Sequence, residues 1–486
     1  MNARAGRATV LVASNRGPVS FFVADDGALS MRRGGGGLVS GLSAVAGEAD
    51  VVWVCAALSD PDRRAARQAP GGRLDRAGYD TGGAAVRMLD IPAGTFHRAY
   101  NAIANSTLWF VHHMLYDTPT RPRFDAQWRK EWAAYEEYNR AFADALAEDA
   151  APDAKVAVQD YHLALVPRML RERRPDLRIA HFSHTPWAPP DYYRMLPDDV
   201  GRGLLEGILG ADHAGFLSTR WAGAFLDCCV DVLGAAIDEG VGERTVALRG
   251  RVSRLGVHGL GADADFLRAR SREPDVRARY DNLTDLIGDR RLLLRVDRTE
   301  LSKNIVRGLA AYRELLRTHA EWQGRVVHLV FAYPSRHDLP EYREYTAAVQ
   351  RIASEIEDEF GTPGWDPLVL EVNDDFPRSL AAYRLADVAV VNPIRDGMNL
   401  VAKEVPVLAE KSCALVLSRE AGAVDDLGDD AVLVNPYDVS GTAEAMHEAL
   451  SMPEGERRAR ARRLADAATV LPPRRWFADQ LAALDP

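Results

Sequence analysis

Short, mainly apolar runs alternate with longer amphipathic stretches along the whole chain. In the first half, residues 9–13, 51–54, 156–158 and 179–182 have strand length. Runs that are apolar at nearly every position, not every second one, suit strands covered on both faces. Between them, 125–148 carries Trp128, Trp132, Tyr135, Phe142 and Leu146 at helical spacing, an aromatic stripe read as core packing. The second half alternates more regularly. Strands are predicted at 292–296, 326–331, 368–372, 388–391, 414–417 and 431–434. Helices are predicted at 304–318, 341–359, 379–384 and 400–410. Repeated strand–helix–strand units predict an α/β protein with parallel sheets and helices on both faces. Gly256, Gly259 and Gly261 punctuate the chain between the two series. They divide it into Rossmann-like, doubly wound domains at 1–258 and 259–470, with an amphipathic tail at 471–486. Two such domains suggest a cleft between strand ends and a two-substrate enzyme.

Composition narrows the partners. Among 486 residues, 60 Lys and Arg against 70 Asp and Glu give a net charge of −10, so broad binding to nucleic acid or an anionic membrane is not expected. Four cysteines without CxxC or zinc spacing predict buried free thiols, no metal site and a cytoplasmic setting. No secretory leader or membrane span is expected. The Arg-rich run 456–463 has helical alternation and reads as a solvated face. Oligomeric state stays open, a homo-oligomer included.

Several motifs sit where predicted strands end. Arg16, in Ser14-Asn15-Arg16-Gly17-Pro18, either binds a phosphate through its guanidinium fork or is a plain surface arginine. Gly34 to Gly37 form a loop through which backbone N–H groups can approach a ligand. Asp160, in Gln159-Asp160-Tyr161-His162-Leu163, can bind a sugar hydroxyl, and His184 precedes a turn fixed by Pro186. Arg298 and Lys303 follow the strand at 292–296 and can clamp a diphosphate without a metal. The sharpest run is Asn392 to Glu404, where a helix is expected to begin near Asn399. Asp396 can grip sugar hydroxyls there, and Glu404 a ribose diol.

Taken in order, these six motifs resemble trehalose-6-phosphate synthases, retaining glycosyltransferases of the GT-B fold. The resemblance runs from about Val10 to Pro436. It implies a nucleoside-diphosphate glucose as co-substrate, no further cofactor, and glucose 6-phosphate as acceptor. For the donor it implies Arg298 and Lys303 on the diphosphate, with backbone from Asn399, Leu400 and Val401, and Gly397 and Met398 in the same turn. Glu404 would hold the ribose. Asp396 and His184 would bind the transferred glucose, with Gly36 and Gly37 closing on the donor and Arg378 as a further site arginine. For the acceptor it implies Arg16 and Arg336 on the phosphate, Tyr100 and Trp109 lining the pocket, and Asp160 orienting hydroxyls. Asp160, His184, Arg298, Lys303 and Asp396 form the implied catalytic set, with no covalent nucleophile. As in many GT-B chains, the tail would pack back on the first domain.

The chain departs from the family pattern at Gln159, where a histidine is usual, at Asn304, where a glycine is usual, at Ala56, where a tryptophan is common, and at Thr185 and Trp187. UDP-glucose is the family default as donor, with GDP- and ADP-glucose open. Glycerol 3-phosphate or a cyclitol phosphate remain alternative acceptors. A non-catalytic sugar-phosphate sensor and a nucleotide-sugar epimerase are the readings from other classes.

Overall fold

The computed structural model describes residues 7–34, 51–240 and 243–485. Gly36 and Gly37 lie outside them. The chain divides into two compact units: Met1–Gly259 with Pro473–Pro486, and Leu260–Pro472.

In the first unit, nine strands among the described residues form one sheet. They are β1 (Ala8–Ser14), β4 (Val51–Ala56), β5 (Ala85–Leu89), β6 (Ala150–Gln159), β7 (Arg178–Ser183), β8 (His213–Phe216), β9 (Ala236–Gly240), β10 (Glu243–Leu248) and β11 (Arg251–Val257), in the order β5-β4-β1-β6-β7-β8-β11-β10-β9. A hairpin of β2 (Val19–Val23) and β3 (Leu29–Arg33) is inserted after β1. Strands from β5 through β11 run parallel; β10 and β9 complete an antiparallel edge. Residues of β4 are buried throughout because helices cover both faces of the parallel part. The helix Ala126–Asp149 buries Trp128, Trp132, Tyr135, Phe142 and Leu146.

The second unit is a six-stranded parallel sheet of β12 (Arg291–Arg298), β13 (Val326–Tyr333), β14 (Leu368–Glu371), β15 (Val388–Val391), β16 (Ala414–Ser418) and β17 (Val432–Val434). Its order is β14-β13-β12-β15-β16-β17. Leu293, Leu309, Tyr312, Val330, Val390 and Met446 lie in its core.

Both sheets share one topological property. In each, the chain winds outward from a central strand, returns, and winds the other way. The reversal falls between β1 and β6 in the first unit and between β12 and β15 in the second. Crossovers depart in opposite directions there, so the strand ends leave a crevice suited to a ligand.

Two sequence expectations need correction, and some strands were not anticipated. The helix expected near Asn399 begins at Val401, because Asn399 has φ +77° and cannot continue a right-handed helix. The Arg-rich run lies in the helix Glu454–Ala468, but Arg457 is buried and reaches toward Asp387 at 3.7 Å, so that face is not wholly solvated. The β2–β3 hairpin and the β9–β11 edge had no predicted counterpart; β3 is Leu-Ser-Met-Arg-Arg and β10 begins Glu-Arg-Thr, too polar for the apolar-run criterion.

Candidate active site

Arg16 follows β1 and Asp160 follows β6, so they flank the switch point of the first unit. The Arg16 loop is held from below. Trp53 Nε1 donates to Ser14 Oγ at 2.7 Å, Ser14 Oγ donates to the Arg16 carbonyl at 2.7 Å, and Tyr138 OH donates to Asn15 Oδ1 at 2.6 Å. A Cβ at Gly17 would lie 2.4 Å from Cys55 Sγ, so only glycine fits. Arg16 is exposed on this anchored loop. The aromatic stripe thus does more than fill the core, since Tyr135 OH donates to the Tyr161 carbonyl at 2.6 Å as well.

Asp160 sits at φ +74°. Its Oδ1 accepts from the His184 backbone N–H at 3.2 Å, and His162 Nδ1 lies 3.7 Å from Oδ2. Burial pushes its pKa up, but the facing His162 and His184 imidazoles, with a backbone N–H of Tyr161, outweigh that and hold it at about 2. Asp160 is therefore an ionised acceptor at neutral pH. Burial lowers the His184 pKa, keeping the ring neutral there. Tyr100, in a widened helical run Arg98–Leu108, stacks on His162 at 5.6 Å, and Trp109 packs on Tyr161 at 5.8 Å. Tyr100, Trp109, Asp160 and His184 thus share one contiguous patch.

Gln159 occupies the position where the resembled family has histidine. Its Oε1 accepts from His184 Nε2 at 2.9 Å, and its Nε2 donates to Gln480 Oε1 at 3.1 Å. Gln480 belongs to the helix Pro473–Ala482, whose Trp476 ring packs against Phe182 and His184. A carboxamide accepting at Nε2 leaves the lone pair of His184 on Nδ1. Gln480 was not anticipated, because nothing in the local sequence ties it to position 159.

In the second unit, the switch point lies between the loops after β12 and β15. Lys303 comes from the first and Asp396 from the second, and Lys303 Nζ donates to Asp396 Oδ2 at 2.6 Å across the break. Asn399 Nδ2 also donates to Asp396 Oδ2, at 3.1 Å, while Asn399 Oδ1 accepts from the Ala402 N–H at 3.1 Å and caps the helix Val401–Leu408. Gly397, Met398 and Leu400 shape this turn: Met398 is buried, and the Leu400 carbonyl accepts from the Glu404 N–H at 2.8 Å. Asn304, where the family has glycine, sits at φ +60°. Asparagine tolerates that left-handed region best among the larger residues. Its Nδ2 donates to the carbonyls of Asn392 and Pro436 at 3.0 and 2.7 Å, which ties the two loops together.

Around this pair stand further charges. Arg298, 56% exposed, is 3.2 Å from Glu300, whose side chain is fully buried. Glu300 also accepts from Ser335 Oγ at 2.8 Å and faces Arg336 at 3.9 Å. Burial raises the Glu300 pKa, yet Arg298, Arg336 and Lys303 bring it to about 2. Buried Asp297 goes the opposite way, to about 6, through burial with Asp396 and Glu300 nearby. Arg295 is enclosed between Asn392 Oδ1 at 2.8 Å and the Lys303 carbonyl at 3.1 Å. Glu300, Asp297 and Arg295 escaped the sequence reading, although Glu300 stands inside the Arg298-to-Asn304 motif. Arg336 donates to Tyr342 OH at 2.6 Å and stands beside Arg298 in this second unit. Glu404 accepts from Tyr383 OH at 3.3 Å, and burial raises its pKa. Arg378 pairs with Glu371 at 2.7 Å.

Two doubly wound units, one with cations and carboxylates clustered over its switch point, are the architecture of a GT-B protein. Comparison with known proteins agrees. The family model for glycosyltransferase family 20 matches residues 8–485, and the chain belongs to that family. It is 35% identical over 388 residues to the bifunctional trehalose-6-phosphate synthase/phosphatase of Thermoproteus tenax, covering 79% of this chain and 51% of that one. It is 35% identical over 494 residues to the trehalose-6-phosphate synthase of Mycobacterium avium, covering 99% and 96%. The crystal structure of a UDP-forming α,α-trehalose-phosphate synthase from Burkholderia xenovorans, in complex with glucose-6-phosphate, superposes with a TM-score of 0.83 at 27% identity, covering 98% and 99%. The chain spans about half the length of the first curated relatives it matches. No helix among the described residues is long and apolar enough to cross a membrane.

Proposed function

We propose that this chain transfers glucose, with retention, from UDP-glucose to glucose 6-phosphate and so makes α,α-trehalose 6-phosphate. The observation that carries the reading is the Lys303–Asp396 pair bridging the switch point, with Arg298 open beside it. A cation for phosphate and a carboxylate for hydroxyls sit side by side, as a sugar diphosphate requires. The names of the relatives above support the substrates.

In this reading the acceptor's anomeric hydroxyl attacks the donor anomeric carbon from the face that the diphosphate leaves. The carbon–oxygen bond to the β-phosphate breaks, and the hydroxyl proton passes to a phosphate oxygen. Arg298 and Lys303 stabilise charge developing on the leaving diphosphate, and fixed charges of this kind cost no reorganisation at the moment of reaction. Asp396 and His184 hold the transferred glucose, and Glu404 the ribose. Turn residues Gly397 to Val401 border the donor, with Gly36, Gly37 and Arg378 as further donor contacts. Ionised Asp160 orients the acceptor, with Tyr100 and Trp109 beside it, and Arg16 and Arg336 take the acceptor phosphate. Transfer is proposed to need no metal, and the buried free thiols fit a cytoplasmic setting.

The test is a panel of UDP-, GDP- and ADP-glucose against glucose 6-phosphate, glycerol 3-phosphate and a cyclitol phosphate, with and without EDTA. Trehalose 6-phosphate and UDP are expected in equal amounts, unaffected by EDTA. Nucleotide release with a different acceptor only, or ligand binding without turnover, refutes the assignment.

A further inference from the structure

His319, Glu321 and His447 come together in the second unit, on a face none of the motifs above touches. His319 ends the helix Ile305–Thr318, Glu321 follows in a short turn, and His447 lies on the helix Val439–Ser451. Among the described residues this is the one group of three such side chains whose ligand atoms all lie within 4.8 Å of one another. Glu321 Oε1 is 3.6 Å from His319 Nδ1 and 3.8 Å from His447 Nδ1. Ligands on a tetrahedral ion with bonds of about 2.1 Å stand about 3.4 Å apart, so little movement is needed to enclose one.

The hydrogen bonds fix which atoms face inward. His319 Nε2 lies 2.9 Å from Glu444 Oε1, and a carboxylate only accepts, so Nε2 carries a proton and Nδ1 is the nitrogen left to offer a lone pair to a metal ion. Trp322 Nε1 donates to His447 Nδ1 at 3.1 Å, and an indole N–H only donates, so Nδ1 of His447 is also a lone-pair nitrogen. The two imidazoles stack with centroids 3.7 Å apart. Nδ1 of each ring and a Glu321 carboxylate oxygen therefore converge. Glu444 behind His319 is the outer carboxylate that orients metal-bound histidines.

We propose that His319, Glu321 and His447 form a binding site for a divalent transition ion of the zinc class, with Glu444 as its positioning residue. Nitrogen and mixed N/O ligation selects Zn²⁺, Co²⁺ or Ni²⁺ over Mg²⁺ and Ca²⁺. The ion takes the His447 Nδ1 lone pair in exchange for the indole hydrogen bond, and water completes its shell. The sequence has no zinc spacing here because the paired elements stand 125 positions apart. Nothing in the proposed transfer uses this site.

The test is titration of the full chain with Zn²⁺ by calorimetry and with Co²⁺ by visible absorption. One saturable equivalent is expected, with the intense d–d bands of four- or five-coordinate cobalt. His447→Ala and Glu321→Ala should each remove it while glucosyl transfer stays unchanged. Glu444→Ala should weaken it about tenfold, the usual cost of losing an outer-shell partner. Glu321 is exposed, so its substitution leaves the fold intact and the comparison interpretable. Absence of saturable binding up to millimolar metal, or an equivalent that persists in both ligand variants, overturns the proposal.

Discussion

Gln480→Leu tests whether the carboxamide chain from the last helix orients His184. Both glutamines are 1% exposed, so neither amide exchanges its partner for bulk water. Removing the Gln480 acceptor leaves Gln159 Nε2 buried without one, at about 1–3 kcal/mol. Gln159 can lower that cost only by turning away, which releases the His184 Nε2 proton. A neutral hydrogen bond of about 1 kcal/mol is then lost from the ring proposed to steady the glucosyl group, which should lower kcat between about fivefold and tenfold. The double variant Gln159→Leu/Gln480→Leu separates the two effects. Replacing both glutamines removes the stranded amide but also takes the acceptor from His184 Nε2, so the urea midpoint should recover only part of the loss. Turnover should stay low, because His184 Nε2 now faces a methyl group. The measurements are urea midpoints and nucleotide release at saturating substrates. If Gln480→Leu keeps both wild-type stability and wild-type kcat, or if the single losses simply add in the double variant, the carboxamide chain orients nothing.

Arg298→Ala should lower kcat roughly 10²-fold, because the leaving diphosphate loses a fixed cation; kcat near wild type in steady-state assays refutes that role. Arg16→Ala should raise the KM for glucose 6-phosphate and leave the donor KM unchanged; the reverse pattern in initial-rate kinetics would exchange the two assignments. Glu300 and Asp297 should give opposite pH signatures in denaturation midpoints. Glu300 has a folded pKa near 2, below its unfolded value, so its contribution is present above about pH 4.3 and is lost as pH falls toward 2. Asp297 is raised to about 6, so its contribution is present below about pH 3.9 and is lost as pH rises through 6. Asp297→Asn should therefore flatten the decline through pH 6 and stabilise the protein above it; an unchanged profile rules this out. Gly17→Ala should destabilise by about 1–3 kcal/mol, since its Cβ would meet Cys55 Sγ at 2.4 Å, and a wild-type thermal midpoint contradicts the close contact.

The strands of the second unit were legible because a parallel sheet covered on both faces demands unbroken apolar runs, and β15 matches the predicted 388–391 residue for residue. The polar, half-covered β10 and β11 carry no such signal. In the site, segments at and just beyond the ends of buried strands were legible as motifs: Arg298 closes β12, Lys303 and Asp396 follow β12 and β15, and Glu404 stands on the helix Val401–Leu408. What supports those residues was not. Gln480 meets Gln159 across 321 positions, and Asn304 meets Pro436 across 132. Such pairings depend on the packing of whole elements, which local periodicity does not encode. The departures from the family pattern acquire reasons only in three dimensions: Gln159 has a partner in Gln480, and Asn304 fills a left-handed turn otherwise suited to glycine.

Membership of Pro473–Ala482 in the first unit has a consequence for biosynthesis. The ribosome makes Met1–Gly259 first, then spends on the order of ten to forty seconds on Leu260–Pro472 before the segment that buries Trp476 beside Phe182 emerges. During that interval the nascent first unit carries a bare apolar seam while the second can already mature. Termination anywhere between Leu260 and Pro472 would thus cripple the unit translated before it.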